Sequence, residues 1–405
     1  MNDLKRTAGR AVAVILAVVA TPFLIWGGSI AMPYISQFSQ TMGRASARLS
    51  FINSEDAVSS FKKLSDNINN STTPISNIDT PMNSLDIPHN EFQIGNGSAW
   101  NIDMAPEEIE TPSINPPLAT PSQDILSALP YPTNIEDNDG KIVTVQYGTY
   151  SDKAYFNLDK GGQVRNCTSI SNATLKEASQ QLPDIQLNLD SKEPQVLIYH
   201  THTTESFEPY TRDFYDKSFS SKSTDTTKNI VAVGDAICAE LDKAGIAYLH
   251  DTNVHDYPSY NGSYQSSRET VEEILEKYPS IKIVLDVHRD AIQKSDGTRL
   301  SPVAEINGKR AAQVMLISCC DDGDGEMPNY MENFKFASLL QSQIESDWKG
   351  LTRPVLFDYR NYNQDLSVGG LLIEVGAHGN SIDEAVYTGQ LIGQSIGNSL
   401  KSLDK

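Results

Sequence analysis

Two histidines and a glutamate crowd into six residues at His200-Thr-His202-Thr-Thr-Glu205, and nothing in that stretch helps to build a core. Imidazole and carboxylate placed together are what a divalent metal such as zinc asks of a protein. The spacing His202-x-x-Glu205 lets a single turn offer both groups to one ion, with His200 as an alternative ligand. Two later segments carry related chemistry: Asp286-Val-His288-Arg289-Asp290 and Ile373-Glu374-Val375. His288 would complete a three-ligand zinc site with one position left for water, the arrangement of catalytic rather than structural zinc. Glu374 interrupts an apolar run, where a carboxylate is costly to bury without a role or partner. Its expected role is the general base that deprotonates the water and passes the proton to a leaving amine. Each residue also has a bland reading. An HxxE pair arises by chance, His200 can simply bond backbone, and His288 can belong to an ion-pair cluster with Arg289 and Asp290. The occurrence of all of them at strand ends favours the site.

Those ends follow from the flanking pattern. Val196 to Tyr199, Ile281 to Asp286 and Leu371 to Val375 are apolar runs that read as buried strands, each running into polar residues. In a parallel α/β sheet such carboxyl ends share one edge, where ligands bind. Ala312 to Ser318 reads as another strand, and Ile142 to Tyr147 alternates like one. Thr227 to Ala244 is the clearest helix, stopped by Gly245; Ser267 to Lys277, Asn329 to Trp348 and Ser381 to Leu400 follow. The alternation of strand and helix predicts one α/β domain over 141–405, with a single mixed, largely parallel sheet flanked by helices.

The chain before that domain is of another kind. Among the 405 residues the net charge is -20, and the stretch 64–140 holds twelve acidic residues, no Lys or Arg, and ten of the twenty prolines. This balance argues against nucleic acid as a partner. Residues 44–140 therefore read as an acidic linker rich in Pro, Ser and Asn. Lys5, Arg6 and Arg10 precede a run without charge from Ala11 to Gly43, and Ala11 to Tyr34 is long enough for a span of about 20 residues. Residues 1–43 thus read as a cytoplasmic tip and transmembrane anchor, or an uncleaved signal, with the body outside the cell membrane. The four cysteines show no CxxC spacing, so neither a thiolate zinc site nor a redox motif is supported.

Four stretches together carry a resemblance: His200 to Ser206, Asp251 to Arg268 with His255-Asp-Tyr-Pro-Ser-Tyr260-Asn-Gly-Ser-Tyr264, Asp286 to Ala291, and Ile373 to Gly376. In this order they resemble the stage II sporulation protein P family, which is related to zinc-dependent N-acetylmuramoyl-L-alanine amidases. The resemblance implies a zinc amidase, phosphorylase/hydrolase-like fold and a peptidoglycan hydrolase that cuts between muramic acid and the first alanine of the stem peptide. It also implies cleavage of peptide cross-links, and a setting in forespore engulfment beside a lytic transglycosylase and a membrane scaffold protein. Carried over, the metal ligands fall on His202 (or His200), Glu205 and His288, and the catalytic glutamate on Glu374. Arg289 and Asp290 become candidates for holding a substrate carboxylate or orienting His288, and Tyr260, Tyr264 and Arg268 for lining the substrate groove.

Two rivals stand beside this reading. HxxE, a later histidine and a strand glutamate also resemble zinc carboxypeptidases, which need an arginine clamp for a terminal carboxylate; Arg268 or Arg289 would serve. A non-catalytic wall-binding scaffold would keep the fold and be indifferent to Glu374→Gln.

Overall fold

The computed structural model describes residues 128–404. Its first elements are β1 (Gly140–Val145), β2 (Tyr155–Asn157), β3 (Gln163–Asn166) and α1 (Asn172–Ser179). Then come β4 (Val196–Tyr199), β5 (Phe214–Tyr215), α2 (Ile230–Ala244), β6 (Tyr248–His250), α3 (Ser263–Lys277) and β7 (Ile283–Asp290). The last group is β8 (Arg299–Ile306), β9 (Lys309–Ala312), β10 (Val314–Cys320), α4 (Tyr330–Asp347), β11 (Val355–Tyr359), β12 (Gly369–Ala377) and α5 (Ile382–Lys401).

Eight strands form the main sheet in the order β2-β3-β11-β10-β12-β7-β4-β6. Pairing is antiparallel at β2–β3 and β10–β12 and parallel at every other step. The sheet is therefore mixed and largely parallel, and β4, β7 and β12 end along one edge as expected. Helix ends follow local chemistry. Asn229 caps α2 by accepting from the Val231 N–H, and Gly245 closes it in the left-handed region at φ 74°. Ser381 and Glu384 form a capping box at α5.

Strand alternation decides which side chains reach the site. Ile283, Leu285 and Val287 of β7 join Val196 and Ile198 of β4 and Leu371, Ile373 and Val375 of β12 in the large core. Helices α2, α4 and α5 cover that face with Ile230, Val233, Ile237, Leu340, Ile344, Ile392 and Ile396. The intervening residues, Asp286 and His288 on β7 and Leu372 and Glu374 on β12, must point to the opposite face. There α3 packs Val271 and Ile274 over Leu197, Tyr199 and Val284. Met315, Ile317, Leu356 and Leu372 make a smaller cluster over the central strands, edged by Tyr362. The pocket opens beside this cluster.

One expectation is corrected: the sheet is not single. A second sheet, ordered β5-β1-β8-β9, is built on the β8–β9 hairpin. Asn307 and Gly308 turn that hairpin at φ 52° and 73°, the left-handed pair that a two-residue turn between twisted strands requires. Pro302 inside β8 masks the strand in sequence, because proline demotes a strand pattern.

The predicted span, 11–34, and the linker up to residue 127 lie outside the described residues. The rest of the predicted linker, 128–140, is held to the domain, and its last residue, Gly140, already opens β1. The Leu129 N–H donates to Thr224 Oγ1 at 3.0 Å, and the Tyr131 hydroxyl to the Phe207 carbonyl at 2.8 Å. Among the described residues no helix is long and apolar enough to cross a membrane. All four cysteines are free thiols.

Candidate functional site

Where β4 runs out, the chain folds into one turn, closed by the Glu205 N–H donating to the His202 carbonyl at 3.0 Å. Buried carboxylates lock this turn. Asp286 accepts from the Thr201 N–H at 2.9 Å and its hydroxyl at 2.7 Å. Asp256 accepts from the Thr204 N–H at 3.0 Å and its hydroxyl at 2.6 Å, and pairs with Lys222 Nζ at 2.8 Å. The two threonines are held down, and His202 and Glu205 are left to project between them.

The opposing wall comes from β7 and β12, where His288 and Glu374 are register partners. Residue 376 must turn the chain sharply just beyond. Gly376 has φ 63°, and a Cβ there would come within 2.7 Å of Asn380 Oδ1 and 2.8 Å of the Ala312 methyl. Together His202, Glu205, Tyr264, His288 and Glu374 line one solvent-open cleft. Glu205 Oε2 lies 3.6 Å from His288 Nδ1. The rings of His202 and His288 meet edge to face with centroids 5.2 Å apart. Behind His288, Asp286 Oδ1 stands 2.8 Å from Nε2, an ion-pair distance without hydrogen-bond alignment. His202 Nδ1 and Glu374 Oε2 are buried and have no hydrogen-bond partner among the described residues. With His288 Nε2, three such atoms belong to residues of one cleft; native structures leave few unpaired, so they point to a ligand.

Charge and burial separate the titrating groups. Burial, reinforced by the Asp290 and Glu205 carboxylates and opposed by His288 and Arg353, raises the Glu374 pKa to about 8. Burial alone would lower His288, but Asp286, Glu205 and Glu374 outweigh it and raise the pKa to about 9. His202 goes the other way, lowered by burial to about 4 and therefore neutral at pH 7. Perturbed groups collected in one cleft are characteristic of functional sites.

Seven of the expected residues line the cleft: His202, Glu205, Tyr264, His288, Arg289, Asp290 and Glu374. Tyr260 stands at the rim, 49% exposed, stacked on His202 at 4.6 Å with its hydroxyl 3.1 Å from Nε2. Arg289 is not free to clamp a substrate. Its N–H donates to Glu205 Oε2 at 3.0 Å, and its guanidinium donates to the Ser206 and Ser221 carbonyls at 2.9 and 2.8 Å. It positions Glu205 instead. Asp290 pairs with Arg353 at 2.8 Å.

Two expectations are corrected. His200 is turned away from the cleft, with Nδ1 2.8 Å from the Val287 carbonyl and Nε2 2.9 Å from His250 Nε2. Both ring nitrogens are engaged, so no lone pair remains for an ion. Arg268 faces a different neighbour, gripping Asp365 with two bonds of 2.9 and 2.7 Å and Glu272 at 2.8 Å. The sequence reading missed Asp286, Asp256 and Lys222 as supports, and Arg360 and Tyr362 in the lining. Asp286 had a readable signal: two residues before His288 on a strand, it must share the same face.

The model of the family described as Stage II sporulation protein P (SpoIIP) matches residues 135–397. A Bacillus subtilis (strain 168) protein named Stage II sporulation protein P is 32% identical over 222 residues, which span 52% of this chain and 52%, about half, of that relative. Among solved structures, the N-acetylmuramoyl-L-alanine amidase AmiC2 of Nostoc punctiforme has a TM-score of 0.32 and 14% identity, over 53% of this chain and 98% of that one. The CwlD amidase from Clostridioides difficile, solved with the GerS lipoprotein, has a TM-score of 0.33 and 10% identity, over 51% of this chain and 99% of that one.

Proposed function

The chain belongs to the stage II sporulation protein P family, and from that premise we propose that it is a zinc-dependent peptidoglycan hydrolase. The bond it cuts is the amide between N-acetylmuramic acid and the first alanine of the stem peptide. The observation that carries this reading is the cleft in which Glu374 stands in register with His288, itself 3.6 Å from Glu205.

The donor set fits zinc. His202 offers a buried, unpartnered Nδ1, Glu205 a carboxylate fixed by the Arg289 N–H, and His288 an Nδ1 beside that carboxylate. Asp286 behind His288 supplies the outer carboxylate that commonly orients a metal-bound imidazole. Two imidazoles and a carboxylate with an open side make the ligand set of hydrolytic zinc. When bound, the metal supplies Lewis-acid polarisation of the scissile carbonyl.

The protein's own groups do the proton work. Glu374 takes a proton from the attacking water and hands it to the leaving amide nitrogen. Burial raises its proton affinity, which helps it hold the proton between the two transfers. Tyr260 and Tyr264 hold His202 between a stacked ring and an edge-on ring, which fixes the imidazole plane. Arg268 and Arg289, the two clamp candidates of the carboxypeptidase alternative, are engaged elsewhere, and the products of digestion separate the two readings.

In the same reading the substrate is the cell wall of a spore-forming cell during engulfment. Residues 11–34 anchor the enzyme with its catalytic domain outside the membrane, and a lytic transglycosylase and a membrane scaffold protein work beside it. Cleavage of stem-peptide cross-links would be a second activity of the same site. Digestion of purified sacculi by the full chain, with mass spectrometry of the released material, tests the assignment. Intact stem peptides with a free amino-terminal alanine support it, and single amino acids or no release refute it.

A further inference from the structure

A second cleft adjoins the first. Met315 is the register partner of Glu374 on β10, and Met315 and Leu356 line both. The far walls are Tyr147, Tyr150, Tyr155, Arg165 and Arg353. The tyrosine wall is firmly built. Gln313 accepts from the Tyr147 N–H at 2.7 Å and donates to the Tyr147 carbonyl at 3.0 Å. Gln163 does the same for Tyr150 at 2.8 and 2.9 Å, and Tyr150 stacks on Tyr155 at 4.7 Å.

At its base lies Arg353, 2% exposed. Nη1 donates to Asp290 at 2.8 Å, but Nε and Nη2 have no partner among the described residues, and nor does the buried Tyr147 hydroxyl. Nε and Nη2 form one edge of the guanidinium, the edge that grips a carboxylate through two parallel bonds. The guanidinium also lies 5.7 Å from the Tyr147 ring centroid, and both residues line the cleft, so three costly unpaired donors belong to its wall.

We propose that this cleft is the subsite for a free carboxylate on the peptide part of the substrate, held by Arg353 with Arg165 at the mouth. The assignment rests on the amidase reading. In uncut substrate the lactyl carboxyl of muramic acid is tied up in the scissile amide and the N-acetyl sugars are neutral, so a free carboxylate can come only from the peptide. The cleft therefore sets direction: peptide runs from Glu374 over Met315 towards Arg353.

The test uses two N-acetylmuramoyl peptides that differ only in a carboxylate or carboxamide on the residue after the alanine. Wild-type full chain should favour the carboxylate by about tenfold or more in kcat/KM, carried by KM. Arg353→Lys keeps a charge facing Asp290 but loses the fork, and Arg165→Gln alters only the mouth. Both should bring the ratio towards one. The ratio is taken within each variant, so a reduced folded fraction cancels. A wild-type ratio near one, or a ratio unchanged in both variants, overturns the subsite. If the wild type cleaves neither substrate, the amidase reading fails by itself. Calorimetric binding of the two free peptides to wild type then decides the cleft by the same ratio.

Discussion

His288 and Glu374 are register partners on adjacent parallel strands, and this pairing places a ligand-type imidazole beside a carboxylate across one strand spacing. Neither residue depends on a loop for its position. Each is flanked by core residues, Val287 on one strand and Ile373 and Val375 on the other, which lock the strands between helices. Catalytic geometry held by sheet register is more precise than geometry held by loops.

Glu374→Gln keeps the side-chain shape and removes the proton acceptor. It should lower kcat on peptidoglycan by roughly 10²–10⁴, the usual contribution of general acid–base catalysis, while zinc content stays unchanged. Parallel metal analysis and turnover measurements check this.

His202→Ala, Glu205→Ala and His288→Ala should each lose zinc and activity together. Asp286→Asn, which weakens both the support behind His288 and the hold on Thr201, should lower zinc affinity by roughly 10–100-fold, with activity largely recovered at saturating zinc. Competition with a chromogenic chelator reads both effects.

Asp256 holds the His202–Glu205 turn through Thr204 and Lys222. Asp256→Ala leaves the Thr204 donors unpaired and should destabilise the domain by about 1–3 kcal/mol. Denaturant unfolding measures it, and an unchanged midpoint would contradict the role assigned to Asp256.

Acid should destabilise the protein through its buried histidines. Burial and the neighbouring His250 lower the His200 pKa to about 3, and burial with Arg289 and Arg299 holds His378 well below its usual value. Below about 6.5 the unfolded chain protonates these imidazoles while the folded protein does not. Stability is therefore lost as pH falls from about 6.5, at up to roughly 1.4 kcal/mol per pH unit for each histidine. Denaturant midpoints at pH 7 and pH 5 reveal the slope, and His200→Gln should reduce it.

The turn His202-Thr-Thr-Glu205 was legible because its chemistry is compact, and His288 and Glu374 because polar residues stand out against apolar strands. Partners far off in sequence were not legible. Whether Arg268 faces substrate is decided by Asp365, and whether His200 is free is decided by His250. Neither partner can be named before the sheet order is known. The second sheet escaped because Pro302 breaks the pattern of β8 and because β9 is half exposed. The Asn307-Gly308 pair was its one local sign. Nothing in the sequence marks Arg353; only its burial against Asp290, with one edge unpaired, draws attention to it.

Glu374 is proposed to drive hydrolysis of the muramoyl–alanine amide at a cleft that holds zinc. The most direct test is mass spectrometry of the soluble products released from purified sacculi by the full chain and by its Glu374→Gln variant. The wild type should release stem peptides with a free amino-terminal alanine and the variant almost none. Equal release by both, or products that keep muramic acid joined to the peptide, would contradict it.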